Sequence, residues 1–183
     1  MQPLLLNNGI IYLKREQIEH AIRCFYNFLG VSLYPDVKVF AEWTVELGHG
    51  AGPFYKTSDE SGFLNWLRTF LIYEEENKLF LAMGTPRDWL EDSKTITVNQ
   101  AATYFGYVNY KIHSRVSSGE IEAILDPPRR NPPEEIVFRL RHPEKKKIQS
   151  VTVNGISYQN YNADREVIYL TRLSDKVKII AKY

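Results

Sequence analysis

Near residue 79 the spacing of apolar side chains changes from steps of three and four to strict alternation. A chain that switches period in this way is expected to fold as a helical segment followed by a β domain. Before the switch, Ile18, Ile22, Phe25 and Leu29 recur at four- and three-residue steps, with Ala21 and Phe28 beside them, which predicts an amphipathic helix stopped by Gly30. A second helix is expected to carry Phe63, Leu64, Leu67, Phe70 and Leu71, with Ser58 as its N-cap and an end near Tyr73 or Glu76. Between them, residues 37–47 alternate and favour a strand, although Glu42 and Glu46 would also share one face of a helix. The glycines of residues 48–53 predict an exposed loop.

After the switch, alternation predicts strands over 79–83, 95–98, 104–116, 120–125, 135–141, 148–153, 167–170 and 177–182. The fold class expected is therefore α+β, with a helical segment of two main helices over residues 1–78 and an antiparallel β-sandwich of about eight strands over 79–183. Asn154-Gly155 between alternating arms predicts a type I′ hairpin. Four prolines among residues 126–133 cannot sit in a ladder and predict a stiff connection.

Length and charge exclude several classes. A chain of 183 residues with 44% hydrophobic and 25% charged side chains suits one ordinary domain, or a small β domain with a helical extension. With 23 basic against 22 acidic side chains there is no overall field to draw nucleic acid or an anionic membrane, and Arg129-Arg130 and Lys145-Lys146-Lys147 read as solvated loop charges. The single cysteine, Cys24, reads as a small buried hydrophobe. His20, His49, His113 and His142 have no zinc spacing, and the nucleophile-elbow, phosphate-loop and dinucleotide patterns are missing, so no metal and no cofactor are expected. The N-terminal apolar run has no basic flank and breaks at Asn7-Asn8-Gly9, and no stretch is long enough to span a membrane. A cytoplasmic protein is expected if the chain is complete, and a periplasmic or secreted one if it is a piece of an exported enzyme.

The run Leu79-Phe80-Leu81-Ala82-Met83-Gly84-Thr85-Pro86-Arg87-Asp88-Trp89-Leu90, then Lys94-Thr95-Ile96-Thr97-Val98 and Thr103-Tyr104-Phe105-Gly106, resembles the junction between helical toroid and C-terminal β-sandwich in bacterial six-hairpin glycosidases. Arg139-Leu140-Arg141-His142-Pro143 and Ser150-Val151-Thr152-Val153-Asn154-Gly155 look like later parts of that sandwich. The resemblance implies an (α/α)6 catalytic barrel upstream, which this chain is too short to contain. It implies a C-terminal piece whose helical faces, meant for missing neighbours, would self-associate.

Glycoside hydrolysis needs two opposed carboxyl groups. Glu42, Glu46, Asp59 and Glu60 are the candidates, although a solvated strand face explains the first two and a helix N-terminus the others. In an intact enzyme the loop over 48–56 would line a sugar site, with Trp43 or Tyr55 stacking on a pyranose and His49 among its polar groups; the plain alternative is a connecting loop. Tyr104, Tyr107 and Tyr110, and Tyr158, Tyr161 and Tyr169 further on, suit either a sugar platform or ordinary packing. Trp89 is expected to bury the junction between helices and sandwich, with Arg87 and Asp88 able to pair nearby. Three functions follow: an accessory sandwich without a complete active site, a stand-alone carbohydrate-binding module using surface aromatics, or a small glycosidase using Glu42 or Asp59. Carbohydrate is the expected ligand in each.

Overall fold

Helical and alternating periods separate as the sequence predicts. The computed structural model describes residues 8–34, 36, 38–40 and 57–183, which fall in two compact units, Met1–Phe70 and Leu71–Tyr183. The first holds α1 (Asn8–Lys14), α2 (Ile18–Ser32), a short hairpin of β1 (Leu33–Tyr34) and β2 (Val39–Phe40), and α3 (Thr57–Leu71). Its interior is aromatic: Phe25 stacks on Phe63 at 5.6 Å, and Phe28 lies 5.1 Å from Trp66. A Cβ on Gly9 would come within 2.9 Å of the Trp66 ring, so only glycine permits this approach of α1 to α3.

Three local expectations change here. Gly30 does not stop α2, which runs on to Ser32 because that residue continues the buried face of Ala21, Phe25 and Phe28. Ser58 lies inside α3 rather than capping it. The helix ends at Leu71, since Ile72 and Tyr73 open a strand instead. Of the strand expected over 37–47, Val39–Phe40 is seen, and residues 41–47 lie outside the described residues.

In the second unit all eight expected strands are present, as β4 (Lys78–Leu81), β5 (Thr95–Thr103), β6 (Gly106–Arg115), β7 (Glu120–Asp126), β8 (Glu135–Arg139), β9 (Ser150–Val153), β12 (Val167–Thr171) and β13 (Val177–Lys182). Three short ones join them: β3 (Ile72–Glu75), β10 (Ile156–Tyr158) and β11 (Tyr161–Asn162). They build a six-stranded sheet, ordered β10-β9-β13-β7-β6-β5, and a five-stranded sheet, ordered β11-β12-β8-β4-β3. The ladders are antiparallel except that β4 runs parallel to β8, because the chain crosses to the other sheet and back between them. Inward residues of both sheets, among them Leu79, Phe138, Ile112 and Ile179, share one core. Asn154 and Gly155 both take positive φ, 52° and 80°, as a type I′ turn requires. The Asn154 side chain also accepts the Lys178 N–H at 2.8 Å, tying the hairpin to β13.

A buried ionic knot closes one corner. Arg87, in a 3-10 turn at Arg87–Leu90, grips Glu166 with two hydrogen bonds of 3.0 and 2.7 Å, where the sequence suggested pairing near Asp88. Glu166 Oε1 accepts the His142 N–H at 2.6 Å, and Arg87 Nη1 also donates to the His142 carbonyl. Arg139 and Arg141, each 3% exposed, donate to the carbonyls of Met83 and Thr85 at 3.1 and 2.8 Å. Burial lowers the Arg139 pKa, and the nearby Tyr73 and Glu166 oppose that effect. His142 is itself 1% exposed, and desolvation followed by Lys146 holds its pKa below the usual histidine value.

Gly155→Ala should lower stability by about 1 kcal/mol in urea unfolding, for backbone reasons alone because a Cβ there meets open space. Glu166→Gln should cost roughly 3 kcal/mol, since it leaves the Arg87 guanidinium buried without its carboxylate. Because His142 titrates lower when folded, its contribution is complete above the unfolded value and fades on acidification through the folded one. The stability gap between wild type and His142→Asn should therefore change between about pH 7 and pH 5, as read by unfolding midpoints.

Candidate functional site

Strand β6 has two unlike faces. Val108, Tyr110, Ile112 and Ser114 point into the core, so Tyr107, Asn109, Lys111, His113 and Arg115 are turned outward. The neighbouring β7 presents Asp126, Ile124 and Glu122 directly opposite Asn109, Lys111 and His113. On the other side β5 sets Thr97 opposite Lys111 and Ala102 opposite Tyr107. The five-stranded sheet has a different outer face: Tyr73, Val137 and Val167 there are apolar and buried.

Along β6 this polar face is hollowed into a furrow. A hollow of ≈ 480 Å³ lies beside Tyr107, Asn109, Asp126, Arg129 and Arg130. A second of ≈ 450 Å³ shares Asn109 and Asp126 with it and adds Thr97, Asn99 and Lys176. A third of ≈ 250 Å³ shares Lys111 and Ile124 with the second and reaches His113 and Glu122. Neighbouring hollows share these wall residues.

Local chemistry sets the mouth of this furrow. The β5–β6 turn buries Phe105 and leaves Tyr104 81% exposed, while Thr103 Oγ1 takes the Phe105 N–H at 3.2 Å and donates to the Gly106 carbonyl at 2.6 Å. Gly106 has φ 115°, and a Cβ there would come within 3.2 Å of Arg130, so glycine allows the proline-rich connection to lie against the start of β6. Asn131 N–H then donates to the Phe105 carbonyl at 3.0 Å, which places Arg129 and Arg130 beside Tyr107. A bulge between Val98 and Ala101 bends β5, and Asn109 Oδ1 holds it by accepting the Gln100 N–H at 2.7 Å. The Asn109 amide nitrogen is the donor this side chain can offer a ligand.

Charge in the furrow is partly neutralised from within. Arg129 pairs with Asp126 at 3.0 Å, and Glu122 pairs with Lys178 at 2.9 Å and with Arg115 at 3.5 Å. The Lys178 hydrogen bond is the main reason that Glu122 ionises below the usual carboxylate value, against the effect of its burial. A hollow of ≈ 490 Å³ on another face carries Asp88, Glu91, Asp92 and Glu144 beside His142. Three of its carboxylates are already engaged: Glu91 by Lys94 at 2.7 Å, Asp92 by the Ser117 N–H at 3.0 Å, and Glu144 by Lys146 at 3.0 Å. Among the described residues, no three His, Cys, Asp or Glu side chains come together as a metal site.

The residues expected to carry chemistry fare unevenly. Glu42, Trp43, Glu46, His49 and Tyr55 lie outside the described residues, as does the side chain of Asp59. Glu60 sits half-buried in the first turn of α3. Of the three spaced tyrosines, Tyr104 and Tyr107 are exposed, whereas Tyr110 is 2% exposed and donates its hydroxyl to the Leu71 carbonyl at 3.1 Å. Burial raises the Tyr110 pKa far above its ordinary value, which suits a core group. Asn109, Lys111, Asp126 and Lys176 carried no functional expectation; the alternation of β6 was the available signal, since it turns Asn109 and Lys111 outward together.

No family model matches this chain, and no curated protein matches it. Among solved structures it is similar to a Flavobacterium johnsoniae GH31 dextranase complexed with isomaltotriose, at 12% identity and a TM-score of 0.36 over 58% of this chain and 16% of that one. It is also similar to the cycloalternan-forming enzyme from Listeria monocytogenes in complex with a pentasaccharide substrate, at 9% identity and a TM-score of 0.41 over 57% and 10%. A third, described as a glycoside hydrolase, aligns over 96% of this chain and 31% of its own length, at 13% identity and a TM-score of 0.46. The chain thus spans between 10% and 31% of the length of these proteins.

Proposed function

We propose that the β unit is a glycan-binding accessory sandwich of a larger glycoside-hydrolase-like protein, whose own work is binding rather than turnover. The observation that carries the reading is Tyr107, 69% exposed at a hollow of ≈ 480 Å³ whose polar walls include Asn109, Asp126, Arg129 and Arg130. A pyranose has an apolar face of C–H bonds and a rim of hydroxyls. An exposed phenol ring accepts the former, and amide, carboxylate and guanidinium groups fix the latter. Ring and polar groups are on a strand and a glycine-docked loop rather than on a free tail, so the contacts are preorganised.

Affinity electrophoresis and titration calorimetry against a panel of soluble polysaccharides test the reading. The wild-type chain should be retarded by at least one of them. Tyr107→Ala should weaken that binding about tenfold, the loss expected when an aromatic contact of 1–2 kcal/mol is removed. Its unfolding free energy should stay within about 0.5 kcal/mol of wild type, because the ring is exposed. A wild-type chain that migrates unretarded through every polysaccharide would sink the proposal.

A further inference from the structure

The furrow is far more basic than the chain that carries it. The protein as a whole has a formal charge of +1. The three neighbouring hollows, in contrast, are lined by five permanent cations, Lys111, Arg115, Arg129, Arg130 and Lys176, against two carboxylates, Asp126 and Glu122. Both carboxylates are occupied, Asp126 by Arg129 and Glu122 by Lys178 and Arg115. Among the described residues, Lys111, Arg130 and Lys176 have no carboxylate within ion-pair distance, and all three are exposed.

Fold geometry gathers these cations on one face of the six-stranded sheet. Arg130 stands at the end of the furrow beside Tyr107, and Lys111 follows four residues along β6, about 13 Å further on. Lys176 reaches the middle hollow from the turn before β13, a different part of the chain. The hollow that holds Lys111 and Lys176 also carries neutral hydrogen-bonding groups, Thr97, Asn99 and Asn109. Cations set among neutral donors and acceptors fit a polymer that carries both anionic groups and hydroxyls.

Resting on the glycan-binding reading above, we infer that the furrow takes an anionic polysaccharide, one bearing carboxylate or sulfate groups, with Lys111, Arg130 and Lys176 as the residues that select its charge. A single-stranded nucleic acid is also anionic, but it binds through successive stacked bases. The furrow walls supply one exposed phenol, Tyr107, and a half-buried imidazole, His113, six residues apart on β6, and otherwise aliphatic, amide and charged groups. Sugar chemistry is therefore the better match.

The test is affinity electrophoresis of the full chain through gels containing polygalacturonate, dextran sulfate or neutral dextran, with mobility compared to a polymer-free gel. Retardation by one or both anionic polymers, and weaker retardation by dextran, is expected. The difference between polygalacturonate and dextran sulfate tells carboxylate from sulfate as the recognised group. Lys111→Ala with Lys176→Ala should weaken anionic binding about tenfold and should flatten its salt dependence. A control with Lys145→Ala and Lys146→Ala removes the same charge outside the furrow and should bind as wild type. Equal retardation by dextran and the anionic polymers, or unchanged binding in the Lys111 and Lys176 double variant, overturns the charge selection while the glycan-binding reading stands. Binding of a dT oligonucleotide as tight as that of the best polysaccharide overturns it too. Retardation by none of the three polymers, with retention by other neutral glycans, overturns this inference alone; retention by no glycan at all overturns both.

Discussion

Strand β6 has to satisfy two environments with one backbone, and most of the β unit is arranged around that constraint. Its inward residues are committed by specific contacts: Tyr110 meets Phe138 of the opposite sheet edge-on at 5.3 Å, and the Ser114 hydroxyl donates to the Leu90 carbonyl at 2.7 Å. A slip of one residue would drive Lys111 and Arg115 into the core and expose Val108 and Ile112, at a cost no ladder bond could offset. The pleat that hides the apolar residues is therefore the same device that lines up Tyr107, Asn109 and Lys111 on the surface. Core packing and site geometry are two faces of a single register.

The ionic knot acts at a distance from that register. Arg87 grips the Glu166 carboxylate and the His142 carbonyl, while Arg139 and Arg141 bind the backbone carbonyls of Met83, Arg165 and Thr85. Three loops that sequence order places far apart are thereby held in one arrangement. Buried ion pairs contribute little net stability relative to apolar packing, yet removal of one partner is expensive. Glu166 within the knot, and Ala82 next to its Met83 carbonyl, hold φ of 55° without being glycine.

Function enters through the contrast between the two sheet faces. The outer face of the five-stranded sheet buries Tyr73, Val137, Arg139 and Val167, with the Tyr73 and Phe80 rings stacked at 4.5 Å, whereas that of the six-stranded sheet is polar, hollowed and carries the exposed Tyr107. Sugar recognition asks for an aromatic platform, fixed polar groups and limited ordering cost, and the second face provides them on rigid elements. The electrostatics then refine the reading from glycans in general to charged ones. The helical unit contributes an aromatic core of its own around Phe25, Phe63 and Trp66.

By itself the sequence determined the properties that depend on near neighbours in the chain. The change of period, the eight principal strands, the Asn154-Gly155 turn and the proline-rich connection are all encoded within windows of ten residues or fewer, and alternation told which residues of β6 share a face. What only the tertiary structure decided were the pairings between distant segments. Gly30 looked like a helix stop until the burial of Ser32 carried α2 past it, and Arg87 found Glu166, 79 positions away, rather than a neighbour. Arg129 and Arg130 read as ordinary loop charges along the chain; packed on Gly106, they flank Tyr107. Lys176 joined Lys111 because β13 pairs with β7 and β7 with β6. Local pattern is a property of the covalent chain, but a site assembled from several strands exists only once their order in the sheet is set.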